Sequence, residues 1–207
     1  MYKIKSSIIT VLTLIFFTAT ANVYAGGKNQ IDDNAGLSVS EIESLLFMRE
    51  EEKMARDVYL TLYDLWNEEI FNNIASSEQE HMDAIKSLLD KYDLVDPVID
   101  SIGVFSDPEL QELYIKLVER GEKSAMEALH VGGLIEEVDM QDIKEAIDEA
   151  EHEDIIAVYE ELLKGSRNHL RSFVGKIEDE GIVYEAQVLS QEEVDEIVDS
   201  PIERGSI

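Results

Sequence analysis

Four stretches of this chain repeat apolar residues at alternating steps of three and four, the spacing of one face of an α-helix. The first carries Leu45, Met48, Glu52, Ala55, Tyr59, Leu62 and Trp66; the second carries Phe71, Ile74, Glu78, His81, Ile85, Leu88 and Tyr92. The third reads Ala125, Leu129, Gly132, Glu136, Asp139, Ile143 and Ala146, and the fourth Ile155, Tyr159, Leu162, Ser166, His169 and Phe173. These seams predict long helices over roughly 38–66, 68–92, 122–150 and 153–178. "SVSE" supplies a capping box, Ser38 to Glu41, at the start of the first. Pro97, Gly103 and Pro108 mark a connection over 93–108, after which a short helix is expected at about 109–119. Beyond residue 180 the pattern predicts an extended piece and one more short helix. No stretch alternates convincingly with the period of a strand, so the expected class is all-α, with four long helices forming a bundle.

Each seam contains a contradiction. Glu52, Glu78, His81, Glu136, Asp139 and His169 occupy the middle of stripes that otherwise face a core. A single buried carboxylate or imidazole is usually a satisfied core polar group. Four carboxylates and two imidazoles at matching depth are different, because burying unpaired carboxylates together costs several kcal/mol per ion and they repel one another. Divalent cations remove that conflict, and a donor set of carboxylate and imidazole without sulfur suits iron or manganese, or zinc. Residues at i and i+3 share a helix face, so Glu78 is placed to bridge two ions while His81 caps one. In the first helix a parallel seam through Phe47, Glu51, Met54, Val58 and Leu65 fits equally well, and periodicity leaves Glu51 and Glu52 as alternatives.

Composition narrows the setting. The chain has 207 residues, enough for one domain with its own core. Residues 1–25 read as a cleavable signal peptide: Lys3 and Lys5, an apolar run from Ile8 to about Ala19, and "VYA" before the expected cut. The run is short for a bilayer span of about 20 residues, so export is expected rather than an uncleaved membrane anchor. Residues 26–37 read as a polar linker, 38–180 as the bundle and 181–207 as a tail. Removing Lys3 and Lys5 from the 17 basic residues leaves 15 against 46 acidic ones, a formal charge of −31. Such a surface repels nucleic acid and anionic lipid and attracts cations and basic partners. There is no cysteine, which excludes thiol catalysis, thiolate metal sites and disulfides.

With the seams laid out, a resemblance becomes visible. "EKMARDVY", with Glu52, Ala55, Asp57 and Tyr59, resembles the first-helix ligand motif of rubrerythrins and bacterioferritins. "EQEH" (Glu78 to His81) is similar to their second-helix Glu-x-x-His, "GGLIEEVD" to the rubrerythrin third helix with Glu136 and Asp139, and "GSRNHLRSF" to the fourth at His169. "SEQEHM" together with "GSRNHLRSF" is also similar to a ferritin-like family catalogued as a domain of unknown function. The resemblance covers roughly residues 38–180. It implies a ferritin-like di-iron carboxylate bundle and favours Glu52 over Glu51. The departure is Ser166, where the relatives carry a carboxylate; Asp139 is the residue expected to compensate.

Three functions follow as expectations. The first is an exported di-iron oxidoreductase acting on Fe(II), peroxide or oxygen, with Glu78 and Glu136 bridging two iron ions. Because the chain lacks a cysteine module of the rubredoxin type, electrons must come from a partner or from Fe(II). The second is a non-catalytic metal-binding or storage protein, and the third a metal-free helical adaptor for a basic partner. A homo-oligomer is compatible with each. Glu149 and His152, a second Glu-x-x-His, and His130 are read as structural; Tyr59 and Tyr159 are read as core, with hydrogen bonding to a ligand carboxylate as the sharper alternative.

Overall fold

The structure is a computed structural model describing residues 36–205; the expected signal peptide and most of the expected linker lie outside the described residues. The described residues form six helices and no strand: α1 (Val39–Trp66), α2 (Glu69–Lys91), α3 (Pro108–Gly121), α4 (Ala125–Glu149), α5 (Glu153–Asp179) and α6 (Gln191–Asp199). No helix among the described residues is long and apolar enough to cross a membrane.

Helix starts follow local chemistry. Ser38 and Glu41 form the expected capping box, the Glu41 amide donating to Ser38 Oγ at 3.2 Å and the Ser38 amide to Glu41 Oε2 at 2.9 Å. Asp107 caps α3 with Pro108 at the first helical position. α4 begins three residues after the expected bound at 122 because Ser124 is its cap, accepting from the Glu127 amide at 3.0 Å. Asn67, in the left-handed region at φ 51°, turns the chain from α1 into α2.

Contacts within each long hairpin run in opposite senses. Glu52 meets His81 while the later Tyr59 meets the earlier Phe71, and Gly132 approaches Phe173 while the later Asp139 meets Ser166. The hairpins then face each other, α1 against α4 and α2 against α5. α3 packs on α1 and α4, and α6 on α5.

The interior is apolar in two parts. One buried cluster includes Val58, Tyr59, Leu62, Phe71, Leu129 and Phe173; the other includes Leu45, Met48, Ile85, Ile143, Ile155 and Leu162. On every long helix the polar members of the seam fall between these two clusters. The contradiction in the sequence is therefore one polar layer crossing the core.

α1 is buried on nearly all sides, which explains why its periodicity is ambiguous. Its outer charges are enclosed by the 93–107 connection. Glu50 accepts from the amides of Ser106 (2.6 Å) and Asp107 (3.1 Å), while Lys53 donates to Ser101 O at 2.9 Å and pairs with Asp57. Arg49 reaches Asp96 at 2.9 Å and the Met82 carbonyl at 2.8 Å. Glu137 does the same for the tail, accepting from Tyr184 Oη and the amides of Gln187, Val188 and Leu189 at 2.6–3.0 Å.

Candidate metal centre

Six predicted residues, Glu52, Glu78, His81, Glu136, Asp139 and His169, are all buried in this layer. Five of them make two groups: Glu52, Glu78 and His81, and Glu78, Glu136 and His169. Within each group one donor atom per residue lies within 4.8 Å of the others. Glu78 belongs to both groups. Its Oε2 is 2.8 Å from His81 Nδ1 and its Oε1 is 3.0 Å from His169 Nδ1. Glu52 Oε2 lies 3.1 Å from His81 Nδ1, and Glu136 Oε2 lies 3.4 Å from His169 Nδ1. The imidazoles stack at 5.5 Å between centroids.

Helix geometry explains the convergence. Glu78 and His81 are one turn apart and share the inner face of α2. α5 presents His169 across from them and, one turn earlier, Gly165 and Ser166. Gly165 gives His81 its room: a Cβ there would stand 2.4 Å from His81 Nε2. His169 Nε2 lies 2.9 Å from Ser77 Oγ, which orients the ring so that Nδ1 faces the carboxylates. Tyr59 donates to Glu136 from the opposite side.

Asp139 behaves differently. It accepts from Ser166 Oγ and falls outside both groups. Ser166, read from the sequence as the departure from the resembled motif, is thus occupied with the residue expected to compensate for it. The Leu162 carbonyl, 3.0 Å from Ser166 Oγ, is the alternative acceptor for that hydroxyl's single proton.

Electrostatics describe an over-acidic interior held by protons. Burial, reinforced by Glu78 and opposed by His81, pushes Glu52 up to about 7. Burial likewise raises Glu136 and, with Glu52, Glu136 and Glu78 around it, raises Asp139 well above the carboxylate range. Glu78 goes the other way: burial would raise it, but His169 and His81 together hold it below the usual range. Burial would depress both imidazoles, yet Glu52 and Glu78 carry His81 well above its ordinary value. Glu78 and Glu136 carry His169 to about 10. A divalent cation supplies the same positive charge that these protons supply, so binding releases protons.

The donor set fits such an ion. Glu52 Oε1 and His169 Nδ1 are buried without an aligned hydrogen-bond partner, and such atoms are costly unless something completes them. The donors are hard oxygens and imidazole nitrogens, the mixture that iron, manganese and zinc accept.

The residues read as structural remain apart from the layer. His152 stands just before α5 with its ring 2.8 Å from Glu41 rather than capping the helix, and His130 stacks on Tyr184. Tyr159 bonds Ser44 at 2.9 Å rather than a ligand carboxylate. Sequence reasoning missed Ser77 and Gly165. Their only signal is a small residue beside each Glu or Ser of the motif, in "SSEQEH" and "KGSRNH".

Residues 41–201 match the model of a family described as "Uncharacterized protein domain (DUF2202)". The chain is also 56% identical over 170 residues to the uncharacterized protein MJ0754 of Methanocaldococcus jannaschii, an alignment covering 82% of this chain and 92% of the relative. A crystal structure of hypothetical protein MJ0754 superposes with a TM-score of 0.79 at 52% identity, covering 86% of this chain and all of that one.

Proposed function

We propose, for a chain that belongs to the DUF2202 family, that the polar layer is a centre for two divalent cations inside a ferritin-like four-helix bundle. The observation that carries this reading is Glu78, whose two oxygens face two different imidazoles, each completed by a further carboxylate. Glu52, Glu78 and His81 hold one ion, and Glu78, Glu136 and His169 the other. Ferritin-like architecture is supported by the motifs of the four seams together with the antiparallel packing of α1, α2, α4 and α5.

Iron is the metal we assign, from the resemblance and the sulfur-free donor set. Iron bound by these residues would supply one-electron chemistry, two ferrous ions giving the two electrons that, with two protons, reduce a peroxide to two waters. Ser77 and the Glu78 carboxylate orient His169, Gly165 leaves His81 its position, and Tyr59 holds Glu136 by its hydrogen bond. The two apolar clusters exclude water on both sides of the layer. Electrons come from Fe(II) as substrate or from a separate donor, since the chain has no cysteine for an iron–sulfur module.

Ser166 favours a second reading. Its bond to Asp139 draws that carboxylate away from both ligand groups, which suits a protein that holds metal without turnover. Metal analysis of the purified chain, followed by stopped-flow absorbance on mixing Fe(II) with oxygen or peroxide, separates the readings. Two ions per chain with rapid oxidation supports the oxidoreductase, and two ions without it supports a binding or storage role. A chain that takes up no metal supports the adaptor reading. Export is proposed on residues 1–25 alone, and mass measurement of the native N-terminus checks it: a start at Gly26 is expected.

A further inference from the structure

One buried acid and a half-buried one face each other outside both ligand groups. Glu51 on α1 is 4% exposed, and its Oε2 is enclosed without any hydrogen-bond partner. Its carboxyl faces that of Asp142 on α4 at hydrogen-bonding range. Asp139, Asp142 and Glu145 stand at i, i+3 and i+6 on α4, buried, half-buried and exposed in turn. Glu51 is next to the ligand Glu52 in sequence and feels Asp139 as well as Asp142. Carboxylates therefore run inward from solvent, through Asp142 and Glu51, to the edge of the polar layer.

Among the described residues, no ion pair joins Glu51 or Asp142 to a cationic side chain. The bases closest in sequence are engaged elsewhere: Arg49 with Asp96, Lys53 with Asp57, and Lys144 with Glu193. A buried carboxylate oxygen without a donor is costly, and a second carboxylate facing it adds to the cost. Oxygen-only donors of this kind take hard divalent cations, with water filling the remaining positions. Two carboxylates make a weaker site than three donors including an imidazole, which suits passage rather than residence.

We propose that Glu51 and Asp142 form a portal, a separate weak binding position where a hydrated divalent cation pauses before reaching Glu52, Glu78 and His81. This rests on the reading of the polar layer as a metal centre. The portal acts on how fast the centre fills, while the ligand groups set how tightly it holds.

The test uses the whole purified chain and Co(II), whose absorbance reports its coordination. Loading is followed by stopped flow for wild type, Asp142→Asn, Glu51→Gln and the double variant, and final stoichiometry by equilibrium titration. Each single variant is expected to load about tenfold more slowly, with unchanged stoichiometry, in line with the effect of focused charge on association rates. The double variant should be no slower than the slower single one, because one binding position is lost in either case. Asp64→Asn, an exposed charge on α1, should load at the wild-type rate and so excludes a general effect of net charge. Wild-type loading rates in both portal variants overturn the portal while leaving the centre intact. A loss of final stoichiometry in either portal variant also overturns it, by making these residues ligands. A wild-type chain that takes up no Co(II) overturns the centre itself, and the portal with it. Asp142→Asn alone, half-buried and isosteric, decides the matter should Glu51→Gln fail to fold.

Discussion

The same substitution at two positions of α5 should have opposite consequences. Gly165 and Gly175 both lie inside the helix, where alanine is favoured over glycine by about 1 kcal/mol. At Gly175 an added Cβ meets nothing within 4 Å, so Gly175→Ala should stabilise the chain by roughly 0.5–1 kcal/mol. At Gly165 the Cβ would stand 2.4 Å from His81 Nε2 and 2.6 Å from its Cε1. Comfortable contact needs about 3.5 Å, so the ring must retreat by about 1 Å. It is held on its other side by Glu78 at 2.8 Å and Glu52 at 3.1 Å, and overpacking of this kind costs about 1–3 kcal/mol. Set against the helix gain, Gly165→Ala should range from neutral to about 2 kcal/mol destabilising. Metal ligands tolerate only about 0.2 Å of error, so affinity at the Glu52–Glu78–His81 position should fall about 10- to 100-fold. Urea unfolding of the metal-free proteins reads the first quantity and calorimetric titration with Mn(II) or Zn(II) the second. If Gly165→Ala is as stabilising as Gly175→Ala and keeps wild-type affinity, the account of how His81 is positioned is wrong.

Other residues give sharper or simpler tests. Ser77→Ala removes the partner of His169 Nε2 and should weaken the second ion about tenfold while sparing the first, seen as two affinities drawing apart in a titration. Glu52→Gln should abolish tight binding at the first position, whereas Glu51→Gln should keep it; the reverse order would move the ligand to the other seam of α1. Glu41 supplies the pH dependence. Burial would raise it, but amide donors from Ser38, Glu151 and His152, with the His152 ring, hold it down to about 2. Its folded value lies below the unfolded one of about 4.5, so its stabilisation is complete above pH 4.5 and disappears as pH falls toward 2. At 1.36 kcal/mol per unit this sets an upper bound on the order of 3 kcal/mol, lowered by solvent screening at this helix end. The stability gap between wild type and Glu41→Gln should therefore be widest near pH 6 and close on acidification, and a gap independent of pH would contradict the assignment.

Much of the helical layout was legible in the amino-acid order because its causes are local. The Ser38–Glu41 box, Asp107 before Pro108 and the three–four spacing each act within a few residues, and the observed elements follow them closely. α4 starts three residues after the expected bound at 122, since the Ser124 cap leaves Glu122 and Lys123 outside the helix. The candidate ligands stood out for a related reason: a polar residue within an apolar stripe is visible from spacing alone.

What packing decided is who faces whom. Periodicity left Glu51 and Glu52 equivalent, because α1 is enclosed on almost every side and both seams are inward; Glu52 meets His81 at 3.1 Å, whereas Glu51 turns to Asp142. The six residues of the seams did not reveal that Asp139 turns to Ser166, that Glu78 divides its oxygens between two imidazoles, or that Gly165 makes space for one of them. These are relations between helices separated by tens of residues, set by side chains that meet only after the chain has folded. Residue types and their spacing determine that a polar layer must cross this core; only the docking of α1 and α2 against α4 and α5 determines which of its atoms converge.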